Sequence, residues 1–146
     1  MKAAAKPGGL VVILDYNLAA NEWEPDPPGA FRDFYQTFLD WREANHWDNH
    51  MADHLPGLFQ AAGLVDIESH IQDEIAERGA SHFEQHAKLW TWVIENIGER
   101  IVQAGFLAEA RLQKARQRYE PWTETELTKQ TLRMRTVVGR VVGSVP

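Results

Sequence analysis

A turn signal followed at once by an unbroken apolar run does most to constrain this chain. Pro7-Gly8-Gly9 leads straight into Leu10-Val11-Val12-Ile13-Leu14. Proline fixes φ and glycine admits positive φ, so together they mark a turn. The β-prone run that follows has no polar interruption. It reads as a strand buried on both faces, as in parallel α/β sheets. Asp15-Tyr16-Asn17 then closes the run with polar groups. In open α/β sheets, ligands bind beyond the carboxyl ends of strands. Asp15, Tyr16 and Asn17 are therefore the first candidate site.

The rest of the chain alternates helical and extended patterns. Pro25, Pro27 and Pro28 suit the approach to a helix, with Asp26 as its cap and an end near Asn45. Phe31, Phe34, Tyr35 and Phe38 recur at helical spacing and predict a core face. Asp53 to Ala62 predicts a short helix with Pro56 in its first turn, ended by Gly63 in the left-handed conformation. Leu64 to Ile75 alternates, with Val65, Ile67, Ser69 and Ile71 on one face, and predicts a half-exposed strand. Ser81 and Glu84 have capping-box spacing ahead of a helix that Gly105 ends. Ala108 to Tyr119 predicts a polar helix bounded by Pro121, and Thr123 to Lys129 a further helical turn. Within the polar helix, Arg111, Lys114, Arg116 and Arg118 read as a solvated face. Thr131 to Val142 predicts a last strand, with Gly139 at a bulge.

Composition excludes several classes. The 146 residues contain no cysteine, which removes disulfides, thiolate metal sites and cysteine nucleophiles. The run from Leu10 to Leu14 is far shorter than the ~20 residues of a membrane span. Met1 to Pro7 has no apolar signal core, so the expected location is cytoplasmic. The net charge of −6 argues against nucleic-acid binding, which needs a basic footprint. The length predicts a single domain, residues 1–146. Six tryptophans, six phenylalanines and three tyrosines are many for this length, and point to a ligand pocket or an interface.

Several of these segments resemble one family. Lys6-Pro7-Gly8-Gly9 running into Leu10 to Asp15 resembles the fifth-strand region of class I S-adenosylmethionine-dependent methyltransferases, with Ala5 where they commonly carry leucine. Leu58-Phe59-Gln60-Ala61-Ala62-Gly63-Leu64-Val65-Asp66-Ile67 resembles the helix, tight turn and sixth strand that follow in that family. Thr136-Val137-Val138-Gly139-Arg140-Val141 resembles its last strand. The resemblance implies an α/β fold with a small mixed sheet of about three strands, family strands 5, 6 and 7, as in the C-terminal half of a Rossmann-like methyltransferase. The last strand would run antiparallel between the other two. Residues 81–120 would form a helical insertion between the last two strands. The family binds S-adenosylmethionine mainly through the first half of its fold, with a glycine-rich loop. This sequence has no such loop, so no cofactor-binding residue is assigned and no cofactor is expected on this chain alone.

Under that resemblance, Asp15, Tyr16 and Asn17 face the methyl acceptor, and Trp23, Trp47, Asn49 and His50 lie over its pocket. Asp15 and His50 are the candidate catalytic groups, and the expected ligand is a small aromatic or apolar molecule. In the bland alternative, Asp15 and Asn17 serve a strand-end turn, and the tryptophans anchor loops on the core. His46, His50 and His54 are spaced four apart, as are His82 and His86. A small metal-dependent enzyme using them is one rival reading, but no zinc signature accompanies them, so no metal ligand is assigned. The other rival is a stand-alone interaction protein that docks on a partner. In the methyltransferase reading, the strand at 10–14 is paired on one side only, and an open apolar edge invites association. A homodimer through strand 10–14 is the expected remedy, and burial by the helices of 81–120 the alternative.

Overall fold

The structure is a computed structural model that describes residues 5–143. The other residues, including Met1 to Ala4 of the segment read for a signal core, lie outside that description. The element order is β1 (Leu10–Tyr16), β2 (Glu22–Glu24), α1 (Gly29–Ala44), α2 (Met51–Ala61), β3 (Leu64–Ile71), β4 (Glu74–Glu77), α3 (Phe83–Gln103), α4 (Glu109–Thr125), β5 (Lys129–Leu132) and β6 (Met134–Val141). The chain divides into two compact units. Among the described residues, the first comprises 5–20, 50–74 and 132–143, and the second 21–49 and 75–131.

The first unit is a three-stranded sheet in the order β1-β6-β3, with α2 on one face. β6 runs antiparallel to both neighbours. The expected mixed sheet is thus corrected to an antiparallel one, because no parallel neighbour for β1 is present among the described residues. Val11, Val137, Val141 and Leu64 meet Leu55 and Phe59 of α2, with Ile13, Met51 and Ile67 at the margin. Gly139 sits in register opposite Val11 rather than at a bulge. A Cβ there would come within 2.8 Å of the Phe59 ring, so the bare backbone lets α2 seat on the sheet.

The bulge falls in β3 instead, between Val65 and Glu68. Asp66 takes positive φ there, at 50°. It reverses the expected facing: Val65 leaves the face of Ile67, Ser69 and Ile71 and joins that of Glu68 and His70. Gly63 ends α2 at φ 72°, as its position predicts. Pro56 does not lie in the first turn, because α2 begins earlier, at Met51.

β1 corrects the reading of a strand buried on both faces. Val11 is buried, but Leu10, Val12 and Leu14 are 55%, 58% and 49% exposed. They stand opposite Arg140, Val138 and Thr136 on the face away from α2. An apolar run looks the same in sequence whether one or both of its faces are covered.

The second unit packs α1, α3 and α4 together and carries a small sheet in the order β2-β5-β4. Its core is aromatic. Phe31 stacks on Tyr119 at 4.2 Å, while Trp90 meets Tyr35 edge-on at 5.0 Å. α1 starts after Pro28 without a side-chain cap, and Asp26 instead pairs with Arg32 at 3.4 Å. The Ser81 capping box does not form, because α3 starts one residue later than that pattern requires, behind His82. α4 runs straight through Pro121 to Thr125 and buries Leu112, Ala115, Tyr119 and Trp122 on one stripe. The predicted break at Pro121 and the separate turn after it are therefore absent. The last extended segment is divided at Arg133: β5 joins the second unit's sheet and β6 the first unit's. Residues 81–120 lie in the second unit, which also takes in α1.

Candidate functional site

The carboxyl end of β1 places Asp15, Tyr16 and Asn17 in the first unit, with the start of α2 nearby in the fold. Asn17 is buried, and its Oδ1 accepts the Asp53 backbone N–H at 3.1 Å. That N–H also donates to the His50 carbonyl at 3.0 Å, so the two oxygens share it at the start of the helix. His50, the N-cap residue, makes no side-chain cap bond, so Asn17 serves the helix from the strand end. Asp15 turns back on the chain, its Oδ1 accepting the Tyr16 N–H at 2.7 Å. Asp15 thus makes the local bond of a strand-end turn, whereas Asn17 reaches a backbone group of another element.

Tyr16 is the most exposed of the three. Its side chain is exposed, and partial burial raises its phenol pKa, with the Glu74 and Asp15 carboxylates adding to the shift. Near neutral pH the phenol therefore holds its proton and offers a donor. Around it the charges are paired: Arg135 with Asp53 at 3.3 Å and Arg133 with Asp73 at 2.7 Å. Burial pushes the Asp73 carboxyl up. The Met134 N–H and the Arg133 guanidinium outweigh it and hold the carboxyl below its ordinary range. The His50 ring lies 6.1 Å from that of His54.

Trp23, Trp47 and Asn49 belong to the second unit. Trp23 donates from Nε1 to Gln130 at 3.0 Å and sets its ring edge-on to Phe31, Tyr35 and Trp90. Its ring is partly buried and packs against that unit's core. Asn49 is buried and latches the end of α1, donating to Leu39 O at 3.0 Å and Glu43 at 3.1 Å and accepting from Arg42 Nε at 2.9 Å. Trp47 stays half exposed, edge-on to Trp41 with the Arg42 guanidinium 5.4 Å from its ring. The seven candidate residues do not fall within one unit.

The histidines are also divided. His46 lies in the second unit, in a loop with φ 61°, whereas His50 and His54 lie in the first. His82 and His86 stand 5.1 Å apart at the start of α3. Among the described residues, no group of three or more His, Asp or Glu is placed to hold a metal.

A cavity of about 690 Å³ lies in the second unit, a feature the sequence did not reveal. Arg78, Ser81, Glu84, Lys88 and Glu124 line it. Arg78 is occupied by the fold. It donates to the carbonyls of Leu127, Glu124 and Thr123 at 2.8–3.0 Å and lies 5.0 Å from the Phe83 ring. Those carbonyls close the end of α4, where a helix leaves acceptors unpaired. No helix among the described residues is long and apolar enough to cross a membrane. No protein-family model matches this chain, and no curated protein matches it.

Proposed function

We propose that this chain is the acceptor-side portion of a S-adenosylmethionine-dependent methyltransferase and does not transfer methyl groups by itself. The strand order β1-β6-β3, with β6 antiparallel between the other two, carries this reading. It is the arrangement the resemblance implies for family strands 5, 7 and 6. The residues present do not fit the cofactor. The sequence holds no glycine-rich loop, which the resemblance places in the family's first half, ahead of the strand that β1 matches. This chain's part is the acceptor. Tyr16 supplies a hydrogen-bond donor, and Asp15 and His50 orient or deprotonate a small aromatic or apolar molecule. Alignment of the reacting groups would supply most of the rate once a cofactor-binding half is present.

Backbone NMR of the chain tests this reading. S-adenosylmethionine should leave the spectrum unchanged, and small phenols should shift the amides of Asp15, Tyr16 and His50. Micromolar cofactor binding by this chain alone, or phenol shifts confined to other residues, would contradict it.

A second reading, a dimeric interaction protein, is favoured by β1. This strand pairs with β6 on one edge and, among the described residues, with no strand on the other. On this reading two copies join through strand 10–14.

A further inference from the structure

The free edge of β1 carries a specific pattern of backbone groups. Val141 N donates to Gly9 O at 2.9 Å, and Asn17 N donates to Arg133 O at 2.8 Å. These bonds fix the phase of the ladder at both ends of β1. Antiparallel ladders alternate, so Val11, Ile13 and Asp15 turn their N–H and C=O toward β6. Leu10, Val12 and Leu14 turn theirs outward. Tyr16 has the same phase, but its N–H is already taken by the Asp15 carboxylate. The usable edge is thus Leu10, Val12 and Leu14.

Among the described residues, no strand covers this edge. β1 spans seven residues, with no lysine, proline or bulge between Leu10 and Leu14. The segment is also self-complementary about Val12. Antiparallel pairing of two copies in that register sets Val12 opposite Val12, Leu10 opposite Leu14 and Val11 opposite Ile13. Asp15 then faces Gly9 of the other copy, so no like charges meet. A register centred on Ile13 would need the Tyr16 N–H, which is occupied.

We propose that the partner of this edge is a second copy of the chain, paired antiparallel with Val12 on the twofold axis. The proposal rests on the dimer reading above and adds its register. All the outward groups of Leu10, Val12 and Leu14 are then satisfied, and the sheet continues as β3-β6-β1-β1-β6-β3. Leu10, Val12 and Leu14, now half exposed, gain apolar cross-strand neighbours.

Light scattering and single-cysteine cross-linking test both levels, since the native chain has no cysteine to interfere. The unmodified protein at micromolar concentration should show twice the 16.7 kDa chain mass. Directly opposed, hydrogen-bonded residues have Cα atoms about 5.5 Å apart, within reach of a disulfide. Val12→Cys should therefore form a disulfide-linked dimer under mild oxidation. Leu14→Cys should not, because its copies are separated by roughly 13 Å along the strands. Mixing Leu10→Cys with Leu14→Cys should restore cross-linking. A dimer in which Leu14→Cys cross-links and Val12→Cys does not would overturn the register and leave the dimer reading standing. A monomer would overturn both.

Discussion

Asn17 and Asn49 show how side chains that look like site residues become structural ones. Each is buried; the Asn17 Oδ1 accepts from the start of α2, and the Asn49 side chain bonds the end of α1. Removing one partner of a buried hydrogen bond costs about 1–3 kcal/mol. Asn17→Ala should therefore lower the urea midpoint by loosening the start of α2, and Asn49→Ala should do the same at the end of α1. Two titrations act at this scale. Asp73 has its folded pKa below the ordinary 3.8. Its contribution is present above that value and lost as pH falls through the folded one. Acid unfolding should lose part of its pH dependence in Asp73→Asn. Tyr35 and Tyr119 are buried phenols raised well above 10.0. Their contribution is complete below pH 10 and lost as pH rises beyond it, because the unfolded chain releases those protons first. Tyr35→Phe with Tyr119→Phe should flatten the alkaline limb of a thermal-stability profile. Sequence shows that Asp or Asn ends a strand, but not which backbone group its side chain will meet. Asp15 and Asn17 were legible as strand-end polar residues for that reason, and their partners were not.

At the scale of elements, the β1 turn, the aromatic face of α1 and the Gly63 stop were legible because each depends on neighbours in sequence. The errors have a common physical source. Pro56 and Pro121 both lie inside helices, at α2 and α4, where tertiary packing outweighs the local penalty. The basic run on α4 is likewise only partly solvated. Arg111 forks onto Asp33 of α1, and Arg116 meets Glu95 of α3 at 3.2 Å. Gly98, inside a helix, marks a close approach rather than a break. A Cβ on Gly98 in α3 would strike Leu112 of α4. Gly98→Val should overpack that crossing and destabilise the protein by about 1–3 kcal/mol, read by chemical denaturation. An Ala residue in the same helical register would normally be favoured over glycine. The contact with Leu112 is why that preference does not apply here.

The whole molecule divides the aromatic surplus unevenly. Apart from Tyr16 and Phe59, every Phe, Trp and Tyr lies in the second unit. The rings expected to line a pocket or an interface are largely that unit's own core. The exposed apolar surface lies instead in the first unit, where β1 leaves Leu10, Val12 and Leu14 uncovered and one edge unpaired among the described residues. Strand order was legible through the resemblance, whereas exposure was not, because it depends on what else packs against the sheet. A charge at the centre of the exposed row should oppose association: Val12→Lys should shift the light-scattering mass toward that of one chain while circular dichroism stays unchanged. Hydrogen exchange of the β1 amides tests the central claim most directly. If the free edge is paired with a second copy, the amides of Leu10, Val12 and Leu14 should exchange as slowly as those of Val11 and Ile13, and dilution should speed only the first set. Alternating protection at every concentration, with Val11 and Ile13 slow and Leu10, Val12 and Leu14 fast, would contradict it.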